Sequence, residues 1–270
     1  MPHMNVPSVG NIFYEEHGEG VPLVQIHGLG VQDFGLHYIT EIMSKRVKCV
    51  NLHLPGYGKS ESSPRSANVL HAADDVAAFI RAYTDRPVAV HGTSLGAVVA
   101  IILAGRHPDI IRKLVVTAAL PRSDKAAIQR RRLWKAVLDL GDLGVYADVV
   151  GETGFGREFY ERPDADEWME RRRDAYRQNS RNIQAWREGI ASLQEMDAMK
   201  FAPAITAPTL CISGSDDTMT PAVTGASGAG FKDLSEAVAD GRLAYVQGAG
   251  HYILFEKPEE TAKLIVDFIS

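Results

Sequence analysis

Short apolar runs and helical spacings alternate along most of the chain. Ile12 to Glu15 reads as an early strand, closed by Gly18-Glu19-Gly20. Leu23 to Ile26 is a second strand entering His27-Gly28-Leu29-Gly30, and Val47 to Leu52 a third entering Pro55-Gly56-Tyr57-Gly58. Apolar residues then fall at Val69, Ala73, Val76, Ile80 and Tyr83, the spacing of one helix face. After Pro87 comes a buried strand, Val88 to His91, then Gly92-Thr93-Ser94-Leu95-Gly96 and an apolar helix to about His107. Leu114 to Thr117, Thr209 to Ser213 and Leu243 to Val246 read as further strands. Pro258 opens a last helix, with Glu259 and Glu260 at its positive end. Strands alternating with helices predict an α/β fold: a mainly parallel sheet with helices on both faces. Catalytic groups then gather at the carboxyl ends of the strands.

The rhythm lapses over residues 122–201. This stretch lacks β-branched strand runs and holds Trp134, Trp168, Trp186 and two arginine triplets, Arg130 to Arg132 and Arg171 to Arg173. It predicts a helical insertion, leaving 1–121 and 202–270 as the α/β core. Acidic and basic residues balance within it, so the triplets read as solvated helix faces.

Composition narrows the class. The 270 residues, 45% hydrophobic and 23% charged, suit a globular chain that folds without a disulfide or structural metal. A net charge of −5 with no basic block speaks against nucleic-acid binding. Cys49 and Cys211 sit far apart in apolar runs and read as buried free thiols. The longest apolar run, Ala97 to Ala104, falls well short of the ~20 residues that span a bilayer, and Met1 to Asn11 lacks the pattern of a signal peptide. The expectation is a cytoplasmic protein without membrane contact. Its oligomeric state is not legible.

Three local patterns carry chemistry. A serine between small residues, Gly92-x-Ser94-x-Gly96, sits where a buried strand ends and a helix begins. Such a strained turn projects Oγ out of the sheet; a plain N-cap serine explains the local pattern equally well. Gly214-Ser215-Asp216-Asp217 ends the next strand but one, where a carboxylate can hold an imidazole in one tautomer or simply close an Asx turn. Gly248-Ala249-Gly250-His251 puts a histidine, the natural proton shuttle near neutral pH, on a loop after the last strand. His91 can only flank such a site. Serine, acid, histidine, in that order and each at a strand's end, is the chain order of one nucleophile-elbow fold.

Taken together these residues resemble the α/β-hydrolase family over nearly the whole chain. His27-Gly28-Leu29-Gly30 resembles its oxyanion loop, and Leu54-Pro55-Gly56-Tyr57-Gly58-Lys59-Ser60 the loop after the next core strand. Gly214-x-x-Asp217-x-x-x-Pro221 matches the acid turn and favours Asp217 over Asp216. Gly248-x-Gly250-His251 with Glu256-x-Pro258 matches the histidine loop and last helix, and 122–201 resembles the family's helical cap. His53 stands where many members have aspartate, Thr93 precedes the nucleophile in place of a larger residue, and Ala97 replaces a common glycine. The segment Thr224 to Gly230 is looser than usual.

The resemblance implies a serine hydrolase of the carboxylesterase or oxoadipate enol-lactonase kind, acting through an acyl-enzyme on a small-molecule ester or lactone. Ser94, His251 and Asp217 would be catalytic, with an oxyanion hole from the backbone N–H groups of Leu29 and Leu95. No metal and no cofactor are implied. Phe34, Tyr38, Trp134 and Tyr252 are candidate pocket residues. Carbon–carbon bond hydrolysis, cofactor-free haloperoxidase chemistry and slow hydrolysis by a ligand receptor remain alternatives on the same triad.

Overall fold

The computed structural model describes residues 3–30, 35–62 and 68–270. Eight strands form one sheet: β1 (His3–Val6), β2 (Gly10–His17), β3 (Pro22–Ile26), β4 (Lys48–Leu52), β5 (Val88–Thr93), β6 (Ile111–Thr117), β7 (Thr209–Gly214) and β8 (Gly241–Val246). Their order is β1-β2-β4-β3-β5-β6-β7-β8. β1 and β2 pair antiparallel, as do β2 and β4, and from β4 to β8 every pairing is parallel.

The pleat splits each central strand between two cores. Leu23, Ala89, Val115 and Ile212 pack on one face with α1 (Leu36–Met43) and α11, the terminal helix Pro258–Ile269. Val24, Val90, Val116 and Cys211 pack on the other with α2 (Val69–Tyr83) and α3 (Leu95–Arg106). Helix α3 is buried on every side from Leu95 to Ala104, which is why its sequence reads as one apolar run. β1 and α1 escape the pattern: the first is a four-residue edge strand, mostly exposed or half-buried, and the second starts at Gly35 without a side-chain cap.

Between β6 and β7 the chain contributes no strand to the sheet. It forms α4 (Lys125–Asp139), α5 (Leu143–Glu152), α6 (Arg157–Tyr160), α7 (Ala165–Gln178) and α8 (Ile183–Glu195), and α9 (Phe231–Ala237) and α10 (Ile253–Glu256) follow β7 and β8. The arginine triplets within it depart from the solvated faces expected of them. Arg131 is 6% exposed and Arg172 1%, each the middle of its triplet. Consecutive helical residues point about 100° apart, so one of three neighbours turns inward.

A row of polar side chains crosses the sheet core. Gln25 Nε2 donates to Thr40 Oγ1 (2.8 Å) and Asn51 Oδ1 (2.6 Å), and its Oε1 lies 3.1 Å from His91 Nδ1, whose Nε2 meets Thr117 Oγ1 at 3.1 Å. Cys49 and Cys211 are buried free thiols, and burial pushes Cys49 up to about 12. Among the described residues no helix is long and apolar enough to cross a membrane.

Candidate active site

Ser94 links β5 to α3 with φ +55° and ψ −117°, a left-handed backbone that costs a non-glycine residue roughly 1–3 kcal/mol. The strain is held from both sides. The Ser94 N–H donates to Thr117 O (2.9 Å), and its carbonyl accepts from Ala97 (3.0 Å). A Cβ at position 96 would sit 2.2 Å from Ile26 O, and one at position 92 would sit 2.2 Å from Gly96 O, so both flanking glycines are required by close approach. The turn leaves Oγ at the carboxyl edge of the sheet, before the N-terminus of α3, whose first N–H groups have no acceptor within the helix.

His251 and Asp217 reach the same point from separate loops. Ser94 Oγ lies 3.1 Å from His251 Nε2, and His251 Nδ1 lies 3.3 Å from Asp217 Oδ2. Thr220 stands between the last two: its hydroxyl donates to Asp217 Oδ2 (2.6 Å), and its oxygen is 2.9 Å from His251 Nδ1. With the Thr220 proton given to Asp217, both neighbours of Nδ1 are acceptors, so the imidazole proton sits on Nδ1. Nε2 is then left to accept from Ser94. The second Asp217 oxygen accepts from the N–H groups of Met219 (2.9 Å) and Thr220 (2.7 Å). Burial alone would push the Asp217 carboxyl up, but the charge of His251 and the bonds from His251 and Thr220 outweigh it and hold the group below its ordinary value. Asp216 is exposed, its Oδ1 accepting from Ser215 Oγ (2.7 Å).

The histidine loop is pinned from the inserted helices. His251 N–H donates to Gly154 O (2.6 Å), and a Cβ at position 250 would lie 2.4 Å from Gly156 N. Glu256 accepts from the N–H groups of both Gly156 (2.8 Å) and Gly250 (3.1 Å), stapling the two segments together.

Leu29 follows a tight approach: a Cβ at Gly28 would lie 3.2 Å from Ser94 Cβ. The loop is fixed by His27, whose Nδ1 meets Gly28 O at 2.8 Å and whose Nε2 accepts from Leu54 N–H (3.1 Å). Leu95 is the first residue of α3. The two leucine side chains converge on Gly189 of α8, where a Cβ would meet Leu29 Cδ1 at 2.8 Å and Leu95 Cδ1 at 2.9 Å. His53 takes up a structural task, its Nδ1 accepting from Lys59 N–H (3.0 Å) to hold the loop over 54–60.

A cavity of about 60 Å³ opens beside Ser94 and His251. Trp134 and Tyr252 line it, together with Tyr146, Tyr176, Met219 and Phe255 among others. Tyr38 does not line it: its ring packs against Trp168 and Phe255, at centroid distances of 5.7 and 5.2 Å. Phe34 lies outside the described residues.

The sequence profile of the alpha/beta hydrolase family matches residues 23–264, most of the chain. The chain belongs to the alpha/beta hydrolase family. It is 28% identical over 264 residues to a pimeloyl-(acyl-carrier protein) methyl ester esterase of Chromobacterium violaceum, covering 96% of this chain and 98% of that one. It is 24% identical over 269 residues, 96% of this chain and 98% of the other, to a Mycobacterium tuberculosis protein provisionally named a non-heme bromoperoxidase. In three dimensions it is similar to the enol-lactonase of Burkholderia xenovorans, with a TM-score of 0.82, 22% identity and 99% of each chain covered.

In this alpha/beta hydrolase, sequence reasoning missed two neighbours of the candidate triad. Thr220 sits within the acid turn but carries a common residue type, and only its distance to two triad members singles it out. Arg131 is hidden by its triplet, because its burial depends on how α4 packs.

Proposed function

We propose that this hydrolase cleaves a carboxylic ester or lactone of a small, largely apolar molecule through an acyl-enzyme on Ser94. The observation that carries the reading is the run of contacts from Ser94 Oγ to His251 (3.1 Å) and from His251 to Asp217 (3.3 Å). His251 Nε2 takes the Ser94 proton as Oγ attacks the carbonyl carbon, and Asp217 stabilises the imidazolium that forms. The N–H groups of Leu29 and Leu95 hold the oxyanion, each such donor being worth ~3 kcal/mol in the transition state. His251 then protonates the leaving oxygen. Water enters, gives its proton to the same nitrogen and releases the acid. These steps call on no metal or organic cofactor.

The helices of residues 122–201 serve in this reading as a cap, closing an aromatic cavity over Ser94 and excluding bulk water during acyl transfer. The cavity's size favours small acyl groups. The esterase relative and the enol-lactonase likeness support ester or lactone chemistry. The bromoperoxidase relative favours a second reading, in which hydrogen peroxide replaces water in attacking the acyl-enzyme and a peracid leaves.

Stopped-flow hydrolysis of p-nitrophenyl acetate and butyrate tests the proposal. The expected result is a burst of nitrophenolate equal to the enzyme concentration, absent in Ser94→Ala. Hydrolysis that persists in Ser94→Ala would overturn it. Adding hydrogen peroxide with acetate, and assaying peracid, separates the second reading.

A further inference from the structure

A second, narrower compartment of about 20 Å³ also borders Ser94; it shares Leu29, Trp134 and Met219 with the aromatic cavity and adds Arg130 and Arg131. Its chemistry differs from that of the aromatic cavity. Arg131 is buried, yet among the described residues its hydrogen bonds leave from Nη1 alone, to Ser123 Oγ and to Leu193 O. Among the described residues its Nε and Nη2 have no acceptor and no carboxylate forms an ion pair with it, so three N–H donors of a cation are left without protein partners. Arg130 adds a second positive charge at the rim, where among the described residues it bonds to the carbonyls of Met219 (2.7 Å) and Thr218 (3.0 Å) and to no carboxylate.

Trp134 lies three residues beyond Arg131, on the same face of α4. Its Nε1 is buried without an acceptor among the described residues. Indole N–H is a donor only, and a buried donor left unmatched costs about 1–3 kcal/mol. Trp186 shows the contrast in the same fold, its Nε1 donating to Gly30 O at 3.0 Å. Asp124 offsets part of the Arg131 charge, and other buried side-chain donors are also unmatched among the described residues, but Arg131 and Trp134 are set apart by lining one compartment together with Ser94. Both donors are answered at once by an anionic acceptor.

We propose that this compartment binds a carboxylate of the substrate, so that the preferred substrates are esters or lactones carrying a free carboxylate on the limb that lies against Arg131 and Trp134. The inference rests on Ser94 being the nucleophile. A planar carboxylate suits the free edge of the Arg131 guanidinium, and the indole N–H supplies a third donor. The aromatic cavity takes the apolar limb.

The test compares matched esters. Monoethyl succinate, glutarate and adipate are each paired with the ethyl alkanoate in which methyl replaces the carboxylate, and acetyl esters of glycolate and 3-hydroxypropanoate are paired with ethyl and propyl acetate. With at least one limb, the anionic ester is expected to exceed its neutral partner in kcat/KM by about tenfold or more, the worth of one charge-assisted bond. In Arg131→Met that ratio falls to near one, and in Trp134→Phe, which keeps a ring but removes the N–H, it falls part of the way. Because Arg131 also ties α4 to Ser123 and Leu193, Trp134→Phe and the wild-type ratio carry the test if Arg131→Met does not fold. A wild-type ratio near one for every pair, or a ratio unchanged in folded Arg131→Met and in Trp134→Phe, overturns the inference while leaving the serine mechanism standing. Calorimetry on Ser94→Ala with the same pairs reads the carboxylate preference without turnover. Failure of Ser94 to form an acyl-enzyme is thereby distinguished from failure of this inference.

Discussion

The indole Nε1 of Trp186 donates to the carbonyl of Gly30 across 3.0 Å. That bond joins α8 to the loop carrying Leu29, and the convergence of Leu29 and Leu95 on Gly189 lies one turn further along the same helix. Trp186→Phe keeps most of the buried ring but strips the buried carbonyl of its donor. It is expected to cost about 1 kcal/mol of stability. Because the loop is freed to shift, kcat is expected to fall by roughly tenfold, more than the stability loss alone explains. Urea unfolding and ester kinetics on the same variant check both.

Asp216 and Asp217 are neighbours in sequence and opposite in surroundings. Asp217 is 4% exposed and accepts from Thr220 and two backbone N–H groups, whereas Asp216 faces solvent beside Ser215. Asp217→Asn is expected to lower kcat by roughly 10³–10⁴-fold, since an amide no longer enforces the imidazole tautomer. Asp216→Asn is expected to remain close to wild type. Steady-state hydrolysis by the two variants decides the assignment.

Thr220 touches both Asp217 and His251, which makes it a positioning residue for the imidazole. Thr220→Val is nearly isosteric and removes the hydroxyl; kcat is expected to drop by about tenfold, the worth of one buried hydrogen bond, with KM little changed. Thr220→Ser restores the hydroxyl and is expected to recover most of the loss. A merely structural role would instead give equal effects on KM and kcat, with no recovery by serine.

Burial lowers His91 from 6.5 to about 3, so the folded protein keeps it neutral between Gln25 and Thr117. Below pH 6.5 the unfolded chain takes up a proton that the folded chain refuses. Stability therefore falls as pH drops from 6.5 toward 3, by up to ~1.4 kcal/mol per pH unit. Asp217 has the same sign but acts lower: its contribution is complete above the ordinary carboxylate value and is lost below it. His91→Gln is expected to flatten the curve between pH 6 and pH 4, as read by urea unfolding at each pH. Parallel curves for variant and wild type would remove His91 from the acid limb.

What the sequence made legible was local. The serine turn could be read because Gly92 and Gly96 mark backbone contacts made within a few residues and against one neighbouring strand. Helix α2 could be read from Val69 to Tyr83 because its buried stripe repeats over four turns. The two aspartates could not be separated from turn chemistry alone, since a strand end does not say which of two successive side chains faces inward. The roles of Arg131, Thr220 and Tyr38 depend on packing between segments far apart in the chain. Charge balance made the arginines look solvated, and position after a catalytic loop made Tyr38 look like a pocket residue.

The central claim is that one hydroxyl is activated by one imidazole. Incubation with a fluorophosphonate, followed by peptide mapping, tests it most directly. A single stoichiometric adduct is expected on Ser94 in the wild-type protein, lost in folded His251→Ala. A folded wild-type protein whose Ser94 stays unmodified, or one labelled just as fast without His251, would contradict it.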